Sequence, residues 1–293
     1  MLRRTWWSLS ILEQNLCSIT GRPSTIMELF CSVPLLTPGT EERIMRTGNQ
    51  AMEGSTSFLS RNQRRSYHIT QPSGTPVAWQ TLEANSGSYF KATVELSIIV
   101  RSILTSLYSA ASRVRSAREL QQDMIHLGSH LDNWELSLPK ELNFRRSTND
   151  TTQLSRERLL VGFQACSARI LLTRPCLDAL GEDWDQCIEA SFAQRMRNIC
   201  FEAARMVVDF LPETPSSGFT YDQGPWWCVV HHLMQAISVF LLGLSYSSIE
   251  LRDTTMLLRY TRKVGRWLQA MHDPVAQRAW SVVGVLIEAV ASR

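Results

Sequence analysis

Apolar residues that step by three or four along most of the chain constrain its fold more than any other feature. Leu96, Ile99, Ile103, Leu107, Ala110 and Val114 form one stripe, and Leu120, Met124, Leu127, Leu131 and Trp134 form the next, which Pro139 closes. Leu160, Phe163, Ser167, Ile170 and Leu171 lead into Arg174-Pro175, and Ile199, Ala203, Met206, Val207 and Phe210 lead into Pro212. Leu257, Tyr260, Val264, Trp267 and Met271 make a further stripe, and Ala279, Val282, Leu286 and Val290 make the last. Asp273-Pro274 between these two reads as an N-cap followed by a first-turn proline. No segment alternates with the period of two that a half-buried strand requires. The expected fold is all-α: one large multi-helix domain of about seven helices. Between about Pro23 and Gly87 the periodicity fails, and Gly, Ser, Thr and Pro punctuate a long loop region.

The chain has 293 residues, enough to bury a substantial core. Charged residues make up 19%, against about 25% in a typical soluble domain, which implies a large core or a surface covered by a partner. The net charge of +3 gives no electrostatic case for direct nucleic-acid binding. Of the 30 cationic residues only Lys91, Lys140 and Lys263 are lysine, a bias without a physical account. Seven cysteines, none spaced as C-x-x-C, read as small buried hydrophobes rather than a disulfide framework or zinc site. Trp226 to Leu244 is long enough to span a membrane, but His231, His232 and Gln235 sit in its middle. A central polar group costs up to about 3 kcal/mol on insertion, so a buried core helix is expected. The N-terminal MLRRTWWSLSILEQNL is amphipathic, but Glu13 interrupts it and it does not read as a targeting segment. Arg61, Arg64 and Arg65 form a basic cluster that reads as solvated loop.

Candidate chemistry is sparse. His126 and His130 have the spacing of a helical metal pair, without a third ligand or the intervening glutamate of the zinc-protease motif. His231 and His232 are adjacent, point about 100° apart on a helix and cannot chelate together. One is expected to be buried with a hydrogen-bonded partner. Asn149-Asp150 with Glu157 imitates part of a terpene-synthase magnesium motif, but Asp183-Trp184-Asp185 lies on the wrong side in chain order. No G-x-S-x-G elbow, phosphate-binding glycine loop or H-E-x-x-H is present. No catalytic, cofactor or metal residues are assigned. The tryptophan pairs Trp6-Trp7 and Trp226-Trp227 are expected to pack into the core.

Several segments taken in order carry a resemblance. RRTWWSLSILEQNLCSITGRPSTI joins Arg3 or Arg4, Trp6-Trp7 and Glu13 to Gly21-Arg22-Pro23. LGSHLDNWELSLPKELNF bears Trp134, Leu138 and Pro139, and ARILLTRPCL bears Arg174-Pro175. Together they resemble the regulatory, middle homology, domain of fungal binuclear zinc-cluster transcription factors. Thr173 stands where that family commonly has histidine or tyrosine, and Cys176 where it often has an aromatic. The resemblance implies that 1–293 is the C-terminal part of such a domain, with loop over 23–87 and a helical core over 88–293. The six-cysteine DNA-binding cluster is absent, so no cofactor is expected: zinc would belong only to a DNA-binding domain that this chain lacks. It further implies a nuclear, or alternatively cytoplasmic, regulator of a metabolic or secondary-metabolite gene set. Such a regulator would act through protein partners such as the transcription machinery or a full-length relative, with dimerisation and a small-molecule effector in scope. DNA would be reached only indirectly, and no membrane is involved. Missing helices would leave an apolar face exposed. Arg174 is expected to cap its helix or to join a buried ion pair. The alternative is an all-α enzyme or small-molecule-binding protein with a pocket between helices near Trp134, His231 or Trp267.

Overall fold

Each long apolar stripe becomes a helix. The computed structural model describes residues 2–22, 24–26, 33–34, 86–145, 155–178, 190–222, 226–245 and 251–291. Within them the elements are α1 (Leu2–Thr20), α2 (Ser86–Tyr108), α3 (Ala117–Leu136), α4 (Ser155–Thr173), α5 (Pro175–Asp178), α6 (Ala190–Asp209), α7 (Ser217–Asp222), α8 (Trp226–Ser245), α9 (Leu251–Ala270) and α10 (Pro274–Ala291). Two short 3-10 turns follow α2 and α3, at Ala110–Val114 and Lys140–Leu142. The described residues are all-α, with no strand among them. Most of the expected loop region, together with Pro23, Cys31, the Arg61–Arg65 cluster, Asn149-Asp150 and Asp183-Trp184-Asp185, lies outside the described residues.

The helices form two groups joined through α4. In the first, α4 packs on α2, α2 on α3, and α1 rests on the outside of α2. In the second, α8 is enclosed by α6, α9 and α10. The two groups meet where α4 packs on α6 and α8. The main core runs through this junction, with Phe163 and Ile170 from α4, Cys200 and Val207 from α6, and Leu233 and Phe240 from α8. Helices apolar on more than one side are the ones expected at such inner positions. Cys228–Ser245 of α8 is apolar enough to cross a membrane, yet 56% of it is buried inside the protein. Gly162 of α4 explains one close approach. A Cβ there would stand 2.8 Å from the Phe210 ring and 3.1 Å from Phe144, so any side chain would push the α4–α6 contact apart.

Three expectations need correction. The stripe through Ala110 and Val114 does not continue α2, because Ser109 adopts an extended conformation and a 3-10 turn follows. Val114 is 90% exposed. Ser112 Oγ donates to Leu107 O and Ser109 O, and competition by such a hydroxyl for backbone carbonyls ends a helix readily. Ser116 then caps α3 in a box with Glu119. The buried stripe of α10 is also shifted. Ala276, Ala279 and Val283 face α8 and α9, while Val282 and Leu286 are exposed. Finally, Arg174 is exposed, which overturns the buried-pair alternative, while the expected helix end at this residue holds. Its amide bonds back to Ile170 O at 2.8 Å as the end of α4, and Pro175 starts α5. The buried ion pair lies one turn earlier, where Arg169 Nη2 meets Asp132 at 2.8 Å and also contacts buried Glu135, which Arg145 contacts from the other side.

Candidate functional site

The signature residues at the N-terminus fold α1 back on itself. Gly21 takes φ +67°, the left-handed conformation that favours glycine, and its amide donates to Cys17 O at 2.9 Å. The chain reverses through exposed Arg22 and returns along α1. Glu13 receives it: Ser24 Oγ donates to both carboxylate oxygens at 2.9 Å, and the Thr25 amide donates to Oε1 at 2.6 Å. Burial pushes the Glu13 pKa up, but the Thr25, Ser24, Cys17 and Ile26 donors outweigh it and hold the carboxyl below its ordinary range. The clasp is therefore complete at neutral pH and fades only as pH falls through that lowered pKa. Trp7 is buried, and its indole donates to Pro34 O at 3.2 Å. Trp6 is half-buried with its indole nitrogen unpartnered, and the Arg4 guanidinium lies 5.7 Å from the Phe90 ring centroid on α2. Glu13→Ala is expected to cost about 1–2 kcal/mol locally. Hydrogen exchange at the Thr25 amide should then accelerate by about tenfold or more, and an unchanged rate would remove the clasp.

The other signature residues do not join this cluster. The Trp134 indole donates to Ala92 O at 3.1 Å and pins the end of α3 to α2. Leu138 and Leu142 are buried beside it, with Pro139 O accepting from the Leu142 amide at 3.0 Å. Arg174-Pro175 sits at the α4–α5 break.

What lies under α1 was not legible as a motif. Arg101 of α2 is buried, donating from Nε to Gln14 Oε1 at 3.3 Å and from Nη2 to Ser10 Oγ at 2.9 Å, both on α1. A buried guanidinium must keep such partners, so these bonds tie α1 to α2. Beside them opens a cavity of about 50 Å³, within a cleft whose empty volume, mouth included, is about 590 Å³. Its walls come from α1 (Gln14, Ser18), α2 (Thr93, Ser97), α4 (Gln164, Ser167) and α8 (Cys228, His231, His232), with Ile11, Ile19, Leu96 and Val100 as apolar lining.

Its titratable groups are held uncharged. Burial drives His232 down to about 3, with adjacent His231 adding to the shift and Gln235 opposing it. Burial also lowers His231 and raises Cys228 to about 11. His232 stacks on Phe163 at 5.4 Å between ring centroids, with 2° between planes. As expected, one histidine of the pair is buried, and Gln235 is its side-chain hydrogen-bond partner, but the His232 Nδ1 has no partner, and neither does the buried Gln164 Oε1. Of the three sequence positions proposed for a pocket, His231 lines this one. Trp134 and Trp267 do not, and the Trp267 indole instead donates to Pro212 O at 3.1 Å.

No metal arrangement emerges among the described residues. The His126 and His130 rings lie 4.2 Å apart, and no group of three His, Cys, Asp or Glu side chains is placed to hold an ion. Cys166 and Cys176 are buried thiols pushed up to about 12 and about 11 chiefly by burial, which makes them inert packing groups at neutral pH.

Comparison with known proteins gives a consistent direction. The chain is 28% identical to "Transcription regulator galc" of Aspergillus niger, over 94% of this chain and 38% of that protein. It is 30% identical to "Sorbicillinoid biosynthetic cluster transcription factor 2" of Penicillium rubens, over 48% of this chain and 23% of that protein. The chain thus spans well under half the length of these curated relatives. No family model and no solved structure matches it.

Proposed function

We propose that this chain is the helical regulatory part of a fungal transcription regulator and works through protein contacts in the nucleus. The observation that carries this reading is similarity to a named transcription regulator along 94% of the chain. The name of the second relative supports a biosynthetic gene set as the target. The middle homology domain is the finer assignment, supported by the ordered Trp6-Trp7, Gly21-Arg22-Pro23, Trp134–Pro139 and Arg174-Pro175 segments. Glu13, Gly21, Trp7 and Trp134 act structurally in it, by returning the chain along α1 and pinning α3 to α2.

A regulatory helical domain needs an element with two packings whose balance a partner or ligand shifts. α1 suits that role. It rests on α2 through the Arg101 bonds, and its outer face carries Leu9, Leu12, Leu16 and Ile19 exposed to solvent. An exposed apolar stripe of this kind is a protein-contact surface.

The test is a fusion of the whole chain to a heterologous DNA-binding domain, read on a reporter gene in a fungal host. The fusion is expected to change output several-fold relative to the DNA-binding domain alone. Output equal to that control in both activating and repressing formats sinks the reading. Among the described residues the competing enzyme reading finds no arranged nucleophile, base and orienter, and turnover of a substrate by the purified chain would favour it.

A further inference from the structure

We propose that the cavity between α1, α2, α4 and α8 is a binding site for a small, uncharged, hydroxyl-bearing molecule. That this site serves regulation rests on the reading above; the binding itself rests on the geometry alone.

The lining fixes the ligand class. No lining side chain carries a charge at neutral pH, because burial holds His231 and His232 neutral and Cys228 protonated. A carboxylate, phosphate or ammonium entering such a space would lose its hydration, and the lining offers no counter-ion; the neighbouring Arg101 is outside the lining and already engaged by Gln14 and Ser10. The wall is also rich in acceptors. Thr93 Oγ1 donates its proton to Tyr89 O at 3.0 Å, Ser97 Oγ to Val94 O at 2.7 Å, and Ser18 Oγ to Gln14 O at 3.0 Å. A hydroxyl has one proton to give, so these three have only lone pairs left to offer, and on Ser18 one of them already accepts from Gln14 Nε2 at 3.3 Å. Gln164 Oε1 adds a buried acceptor with no partner. His232 is 8% exposed, and its Nδ1, an acceptor or a donor according to the tautomer, is also unpartnered. Buried polar atoms left in this state carry an uncompensated desolvation cost, and a ligand group that hydrogen-bonds to them offsets part of it. Hydroxyl groups are neutral donors of the right size, and they can also accept from the Gln164 amide. The inner space holds about three or four waters on volume, so a hydroxylated end enters it while the rest of the ligand occupies the cleft mouth against Ile11, Ile19, Leu96 and Val100.

Placement gives binding a consequence. α1 supplies one wall, and the ligand's hydrogen bonds would run to α2, α4 and α8 on the others. Occupancy therefore adds contacts to the helix otherwise held by Arg101 and the Glu13 clasp, and favours its docked position.

The test uses the full chain with glycerol, meso-erythritol and resorcinol as hydroxylated probes, benzoate as an anion and toluene as an apolar control. Calorimetry and thermal melting are the readouts. At least one hydroxylated probe is expected to bind saturably at one site and raise Tm, with benzoate and toluene failing to do so. Gln164→Leu, which keeps the shape and removes the unpartnered acceptor, should weaken that probe by about tenfold. Ser97→Ala deletes one acceptor with little change in volume and gives the same reading if Gln164→Leu unfolds the chain. Absence of binding by all three hydroxylated probes overturns the proposal, as does equal binding of toluene or benzoate, or affinity that survives both substitutions. Binding together with a silent reporter fusion supports this site and removes the regulatory reading. No binding with an active fusion does the reverse.

Discussion

Trp267→Ala is expected to destabilise the chain by about 4 kcal/mol, the largest single effect of any substitution considered. Trp267 is 1% exposed on α9, in the core that joins α6, α8, α9 and α10. Truncation removes the full indole from that core, and such cavities collapse only in part. It also removes the donor to Pro212 O and the edge contact with Phe219 at 5.5 Å. The melting temperature should fall by on the order of 10 °C, and the denaturant midpoint should fall with it at unchanged slope. Leu12→Ser is the internal control. Leu12 is 47% exposed on α1, and its change should stay within about 0.5 kcal/mol. The pair also separates stability from function. Trp267→Ala silences a reporter fusion by unfolding it, whereas Leu12→Ser silences it only if the outer face of α1 is the contact surface. A Trp267→Ala loss below about 1 kcal/mol would show that the second helix group is not one cooperative core.

The α9 stripe shows what periodicity delivers. Leu257, Val264, Trp267 and Met271 are apolar on one face and polar on the other, and all four are buried. α10 shows its limit. Val282, Val283, Leu286 and Ile287 supply two adjacent apolar stripes, and only packing decides between them. The close fit of small Ala276 and Ala279, with Trp280 reaching Gly265 of α9, chooses the stripe that ends at Val283. The end of α2 was legible in retrospect, because Ser116 and Glu119 have capping-box spacing. Val114 continued the apolar count and hid that signal.

The cavity was less legible for a physical reason. Its walls come from α1, α2, α4 and α8, and the relevant side chains belong together only after long-range packing. What a single sequence did show was polar intrusion into apolar helices: Gln14 and Arg101 in the first group, His231 and His232 in α8. Each intrusion alone reads as a satisfied core residue. Gln14, His231 and His232 converge on one space, where Gln164 Oε1 and His232 Nδ1 are left unpartnered, and that convergence is the observation behind the proposed site. The Arg-Pro pair is the opposite case: conspicuous in sequence, it marks where α4 gives way to α5.

Acidification should expose the cost of that site. His232 titrates near 6.5 when unfolded and at about 3 when folded, so the folded state accommodates only the neutral ring. Above pH 6.5 both states are neutral and the residue carries no penalty. Below it the unfolded chain binds a proton that the folded chain refuses. Stability then falls by about 1.4 kcal/mol per pH unit until the folded pKa is reached. Between pH 7 and 4.5 the loss through His232 is about 2–3 kcal/mol. His231 acts in the same direction. His232→Phe keeps a ring against Phe163 and removes the titration, so its stability should fall less steeply over that range, by about one proton's worth of slope. Denaturant titrations of both proteins at several pH values measure the difference directly. Parallel curves would place the His232 imidazole in contact with water when folded, and the cavity would then lose a neutral, buried wall residue.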